Sequence, residues 1–289
     1  MRTLVKIRRA WEKIIVALSE FDYLTTHQLT RLLYSPSSIK HVQEEMKSLM
    51  DATLVTVIGG KAANLPRIYT LSGMGRQYAA VLGAPKSQRF RPSEEQEKGH
   101  NPYFLKHTMA VTDVLIAARL LSQTHPAVTL SRIVTERELK RKIYVELPER
   151  ICIEPDASCE FLITEMRHDS QQTWRDFFHI EVYRNLPPVA QRFKQKIQGY
   201  VTYVDAGEHQ ALFHTTALSV ALFAQTPAMA ATLKRWTEEA LTEIERPEEG
   251  EWFFFSSLNT ATASPEEMYV APVWECAFGT TKAPLLVLE

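Results

Sequence analysis

Cysteine is scarce in this chain of 289 residues: Cys152, Cys159 and Cys276 are the whole supply, and no two of them stand at a Cys-x-x-Cys spacing. That excludes a disulfide framework and a zinc ribbon, and leaves buried structural thiols as the expected use. His168 and His179 follow Cys159 closely, but their spacing matches no zinc pattern. Long apolar runs are missing too. The best stretch, Ala217 to Ala231, is interrupted by Gln225 and Pro227, short of the roughly 18 residues that a bilayer span needs. The first 19 residues are basic, yet Trp11, Glu12 and Lys13 stand where an export signal would carry an unbroken apolar core. The expectation is a cytoplasmic protein that makes no membrane contact. Internal repeats and low-complexity tracts are absent as well.

Net charge is also nearly missing, with 33 Lys plus Arg against 34 Asp plus Glu, a balance of -1. The average conceals a split. Residues 1 to 92 hold 14 basic and 6 acidic side chains, a net of +8, and the remainder holds 19 against 28, a net of -9. Such asymmetry points to a polyanion-binding segment, because Lys and Arg gain affinity by releasing counterions from phosphates. A solvated basic surface without a ligand is the plain alternative. With 45% hydrophobic residues the chain can bury a core in each of about two domains, at roughly 150 residues per domain.

In the basic segment, Leu4, Ile7, Trp11, Ile14, Ile15 and Leu18 recur at helical spacing, with Lys6, Arg8, Arg9 and Lys13 opposite them. Thr25 and Gln28 form a capping box for a second short helix buried through Leu29, Leu32 and Leu33. After a turn at Tyr34-Ser35-Pro36, Ser37 is the expected N-cap of a third helix, with Ile39, Val42, Met46, Leu49 and Met50 on its core side. Leu54 to Ile58 and Arg67 to Leu71, separated by Gly59-Gly60, read as a hairpin. Three helices and a hairpin in a basic segment are the layout of a winged helix-turn-helix, in which the third helix enters the major groove and the wing touches phosphates. The expected DNA-binding residues are Ser38, Lys40, His41, Gln43 and Lys47 on that helix and Lys61 and Arg67 on the wing. Gln43 can pair bidentately with adenine. Glu44 and Glu45 would be repelled by phosphates, so part of the helix must point away. A helix at Ser72 to Leu82 is a candidate dimer element, and a module used only for dimerisation or protein docking is the bland reading.

Residues 85 to 101, rich in Pro, Ser, Lys, Glu and Gln, read as a linker between a head at 1 to 84 and an α/β body at 102 to 289. Phe104 to Gln123 has helical periodicity. Ile143 to Leu147, Cys159 to Ile163 and Phe177 to Val182 read as strands, followed by a helix at Val189 to Val204, a buried strand at Ala217 to Phe223, a helix at Pro227 to Ile244 and a strand at Trp252 to Phe255. The segment from Pro265 to Glu289 reads as irregular, then extended. Pro155-Asp156 and Glu181 place two carboxylates at or beside strands, ahead of a helix carrying Arg192, Lys194 and Lys196. Two such carboxylates can hold Mg²⁺, with Glu136 or Glu138 as a third oxygen donor. The arrangement has the style of the restriction-endonuclease-like nucleases. Those enzymes carry Lys two residues after the Glu; here Tyr183 stands there, so Lys194 or Lys196 would have to supply the cation. The inert alternative has Asp156 capping a turn and Glu181 pairing with Arg184 or Lys194.

The succession Leu24-Thr25-Thr26-His27-Gln28-Leu29, Tyr69-Thr70-Leu71-Ser72-Gly73-Met74-Gly75, Lys106-His107-Thr108-Met109-Ala110-Val111-Thr112-Asp113, Pro155-Asp156-Ala157, His179-Ile180-Glu181-Val182 and Lys196-Ile197-Gln198-Gly199-Tyr200 resembles the replication-relaxation proteins of plasmids and other mobile elements. The resemblance covers the chain to about residue 240. It implies a winged-helix head on a mixed-sheet, nuclease-like body of the α+β or α/β class, acting as an accessory in plasmid replication and DNA relaxation beside a relaxase or replication initiator. Members of that family usually carry an acidic residue two after the Glu, and Tyr183 departs from this too. The reading is therefore a sequence-specific double-stranded DNA-binding protein, a homodimer that needs no cofactor. The alternative is a Mg²⁺-dependent nuclease built on Asp156 and Glu181.

Overall fold

A computed structural model of the chain describes residues 9–58, 66–84, 102–136, 138–139, 153–167, 170–184 and 188–288. Two compact units emerge, Met1–Ile116 and Ala117–Glu289. Residues 102 to 116, which the sequence grouped with the body, cluster with the first unit. The linker expected at 85 to 101 lies outside the described residues.

Unit 1 begins with α1 (Arg9–Phe21), whose buried side carries Trp11, Ile14, Ile15 and Leu18 of the stripe read from the sequence, with Phe21 added at its end; Leu4 and Ile7 lie outside the described residues. Asp22 ends the helix in the left-handed region (φ 63), where a short polar side chain is tolerated. After β1 (Leu24–Thr25), the capping box opens α2 (Thr26–Leu33): Thr25 Oγ1 accepts from Gln28 N at 3.1 Å, and Gln28 Oε1 accepts from Thr25 N at 3.0 Å. Gln28 has a further task. Its Nε2 donates to the Met109 carbonyl and to Asp113 Oδ1, both at 3.0 Å, on α5 (Pro102–Thr124).

A 3-10 turn at Pro36–Ser38 leads into α3 (Ile39–Asp51). Ser37 is not the N-cap: it lies inside the turn, bonded through Oγ to Ser35 Oγ at 2.9 Å, and Ser38 takes the cap position without a side-chain cap bond. Pro36 explains the shift, because its fixed φ starts the chain winding early. The strands β2 (Val55–Ile58) and β3 (Ile68–Leu71) pair antiparallel, with Val55 opposite Leu71 and Ile58 opposite Ile68. β1 adds to the other edge of β3, giving the order β1-β3-β2. Then α4 (Gly73–Val81) starts at Ser72, whose Oγ accepts from Gly75 N at 3.0 Å. Tyr23, Ile58, Ile68, Leu105 and Met109 form a core in which α5 covers the sheet. Each such aliphatic side chain, fully buried, contributes about 1.5–3 kcal/mol.

In unit 2, β4 (Val128–Thr135), β5 (Ala157–Arg167) and β6 (Ser170–Tyr183) make an antiparallel meander. The helices α6 (Ala190–Asp205) and α7 (Glu208–Phe213) lead to β7 (Ser219–Ala224), parallel to β6. From there α8 (Pro227–Glu243) leads to β8 (Phe253–Ser256), parallel to β7. Helical crossovers are what parallel pairing requires. The short α9 (Pro265–Tyr269) precedes β9 (Trp274–Cys276) and β10 (Lys282–Ala283), which complete a seven-stranded mixed sheet in the order β10-β9-β8-β7-β6-β5-β4. The chain is thus mixed α+β. The strand expected at Ile143 to Leu147 lies outside the described residues.

No helix among the described residues is long and apolar enough to cross a membrane. Cys159 is fully buried, and burial pushes its thiol up to about 12, so at neutral pH it is an inert packing group.

Candidate functional site

Unit 1 presents one coherent outward face. On α3, Val42, Met46 and Leu49 are buried, and Lys40, His41, Gln43 and Lys47 are exposed beside a half-buried Ser38. Arg67 is exposed just ahead of β3; Lys61 lies outside the described residues. The two glutamates of α3 divide. Glu44 is exposed, but Glu45 is buried, where its Oε2 accepts from the Trp11 indole Nε1 at 2.6 Å and its Oε1 lies 4.0 Å from His41 Nδ1. The inward turn of Glu45 removes one of two negative charges from a face that otherwise carries cations and an amide.

In unit 2 the sheet brings Asp156 and Glu181 together. Asp156, directly before β5, straddles Glu181: its backbone N donates to Ile180 O at 3.0 Å, and its Oδ2 accepts from Val182 N at 2.7 Å. Glu181 points from β6 toward α6 and is 2% exposed. Lys196 Nζ meets both of its oxygens, at 2.5 and 2.6 Å, and also donates to the Glu154 carbonyl at 3.0 Å. The Tyr200 hydroxyl donates to Glu181 Oε1 at 2.7 Å. Lys196 and Tyr200 are four residues apart on α6, hence on one helix face. Burial raises the Glu181 carboxyl, Lys196 opposes that shift and Asp156 adds to it, leaving the group at about 7.

Of the two lysines the sequence offered as cation, only Lys196 reaches the pair. Lys194 is engaged on α8, 2.8 Å from Glu239 and 2.7 Å from Glu243. Glu181 is held by Lys196 and Tyr200, not by Lys194. Tyr183, in the place of the missing lysine, is a partly buried phenol kept neutral by desolvation and by the carboxylates of Glu181 and Asp156. Among the described residues, no three His, Cys, Asp or Glu side chains gather into a group that could hold a metal. Glu136 and Glu138 therefore do not complete a three-ligand set with Asp156 and Glu181. Tyr200 and the Glu154 carbonyl were not picked out from the sequence; the signal present was the Lys-x-x-x-Tyr spacing on a helix that follows the acidic strand.

The described geometry is that of a small helical unit with an exposed, cation-bearing helix, and a mixed-sheet unit in which a buried Glu181 is flanked by half-buried Asp156 and Lys196. A family model described as replication-relaxation matches residues 16–216, about two thirds of the chain, and the chain belongs to that family. Neither the curated proteins nor the solved structures contain a significant match. Membership connects the chain with plasmid replication and relaxation.

Proposed function

We propose that this is a sequence-specific double-stranded DNA-binding protein of a mobile element, an accessory or regulator in plasmid replication and relaxation. Unit 1 is then a winged helix-turn-helix, with α3 as the recognition helix and the β2–β3 hairpin as the wing. The observation that carries this reading is the exposed row Lys40, Gln43 and Lys47 on α3, with Glu45 drawn inward to Trp11. Lys40, Lys47 and Arg67 serve phosphates, and Gln43, with Ser38 and His41 beside it, serves base edges. The protein acts as a homodimer, in which α4 offers exposed Met74 and Val81 as contact surface. A relaxase or replication initiator is the expected protein partner, and DNA binding itself requires no cofactor.

The test is a gel-shift series on plasmid-derived duplexes at rising salt. Each lost phosphate contact lowers the log-log salt slope by about 0.9, so changing Lys40, Lys47 and Arg67 together to Ala should flatten it by about 2 to 3. An unchanged slope and affinity would sink the assignment. Gln43→Ala should cost about 1–3 kcal/mol on the preferred site and almost nothing on random duplex.

One observation favours a second reading, a Mg²⁺-dependent nuclease with a restriction-endonuclease-like body: Lys196 stands against Glu181 in the role that Tyr183 cannot fill. Asp156 and Glu181 would be the carboxylate ligands, and the ion would polarise a phosphodiester. Both Glu181 oxygens are already engaged by Lys196 and Tyr200, so the pair must loosen before an ion enters. Supercoiled DNA with Mg²⁺ or Mn²⁺ decides the matter. Nicking that disappears in Asp156→Ala and in Lys196→Met supports it; no nicking, or equal nicking by Asp156→Ala, removes it.

A further inference from the structure

The sheet face that carries Glu181 holds a second polar group in the interior of unit 2. His179 precedes Glu181 by two residues on β6, Tyr203 follows Tyr200 by three on α6, and His209 lies on α7; none exceeds 2% exposure. Their rings form a triangle, with centroids 5.7 Å apart for His179 and His209, 6.4 Å for His179 and Tyr203, and 6.0 Å for Tyr203 and His209. Each has one buried polar atom with no hydrogen-bond partner among the described residues: Nε2 of His179, Nδ1 of His209 and the hydroxyl of Tyr203. Three such atoms on neighbouring rings call for a shared occupant.

The far nitrogens show what the free ones can do. His209 Nε2 lies 3.0 Å from the Ala217 carbonyl, which only accepts, so the proton sits on Nε2 and Nδ1 keeps a bare lone pair. His179 Nδ1 lies 2.6 Å from Ser158 Oγ; with Nδ1 donating there, Nε2 is equally bare. Holding an imidazole by its outer N–H against a protein oxygen is how ligating histidines are oriented. The spacing agrees. Two imidazoles sharing a tetrahedral ion at about 2.0–2.1 Å stand with centroids roughly 5 to 6 Å apart, and an imidazole and a phenol stand roughly 6 Å apart. Phe177 and Phe213 close the surroundings, 5.2 Å from His179 and 5.3 Å from His209 by ring centroid.

We propose that His179, His209 and Tyr203 bind one transition-metal dication of the zinc type, Tyr203 entering as the phenolate after its proton passes to solvent and a water completing the tetrahedron, in a buried structural site that bolts α6 and α7 to β6. The site does not depend on the DNA-binding reading or on Asp156. The full-length chain, purified from cultures supplemented with Zn²⁺ or Co²⁺, should retain one equivalent of metal through gel filtration in chelator-treated buffer. The Co²⁺ form should show the visible absorption of a tetrahedral ion. His209→Gln and the milder Tyr203→Phe should each retain less than a tenth of an equivalent, and Asp156→Ala should retain one. Metal-free wild-type protein, with the three atoms bridged only by an ordered water, overturns the proposal. So does stoichiometric metal in either His209→Gln or Tyr203→Phe, or its loss in Asp156→Ala.

Discussion

Changing Gly75 to Ala should cost unit 1 about 3 kcal/mol or more, whereas the same change at Gly73, two residues earlier on α4, should alter stability by less than about 1 kcal/mol. A Cβ at Gly75 would fall 1.9 Å from the Leu54 carbonyl oxygen and 3.2 Å from Leu71 Cδ2, while one at Gly73 meets nothing within 4 Å. The Leu54 oxygen cannot yield. It accepts from Ser72 N at 3.0 Å, and Ser72 Oγ donates to the Thr53 carbonyl at 2.5 Å while capping Gly75 N. Relief therefore means pulling the start of α4 away from the turn ahead of β2 and breaking these bonds together. Thermal melts of the two variants provide the check, at roughly 2–4 °C of midpoint change per kcal/mol. Equal melting points would show that α4 is not seated as described. The same geometry explains why Leu-Ser-Gly-Met-Gly is informative in the sequence: Ser supplies the cap, and the second glycine allows backbone to approach backbone.

Local chemistry makes unit 1 legible in the sequence. The α1 stripe, the Thr25 and Gln28 capping box, the core side of α3 and the Ser72 helix each depend on spacings within about one helical turn. What spacing could not convey was the long-range use of the same residues. Gln28 reads as a cap, yet it also binds Met109 and Asp113 on α5, and Glu45 reads only as an acid that phosphates would repel, whereas it is buried against Trp11. In unit 2, β4 was missed because its apolar residues do not alternate cleanly: a register shift between Leu130 and Arg132 breaks the period of two. At the C-terminus, Ser264 and Glu267 form a capping box on a helix of only five residues, too short for a periodic stripe. The Asp156 and Glu181 pair was visible from Pro155-Asp156 and the β-rich run around Glu181. The choice of Lys196 over Lys194 was not, since both lie on α6 and only the position of α8, with Glu239 and Glu243, diverts Lys194.

Replacing Lys196 by Met should destabilise unit 2 in a pH-dependent way, by less than about 1 kcal/mol near pH 5 and by several kcal/mol above pH 8. In the native protein, burial raises Glu181 to about 7, Lys196 being the main influence that holds it down. A carboxyl whose folded pKa lies above its unfolded value, near 4.5, binds more protons folded than unfolded between the two. The stability it contributes is fully present below pH 4.5 and declines as pH rises to about 7, by roughly 1.4 kcal/mol for each pH unit crossed, or about 3 kcal/mol in all. Above 7 the native curve flattens, because the folded carboxylate is then ionised against Lys196. Without that ammonium the folded carboxyl lies higher still, so the decline continues past pH 7 and the gap between variant and wild type widens. Met keeps the length of the aliphatic stem, so packing changes little. Glu181→Gln should behave oppositely and lose the slope between pH 4.5 and 7 altogether. Urea melts of the three proteins at pH 5, 7 and 8.5 measure these differences directly. A Lys196→Met penalty of the same size at all three values would mean that the lysine contributes through packing and the Glu154 carbonyl, not through the charge of Glu181.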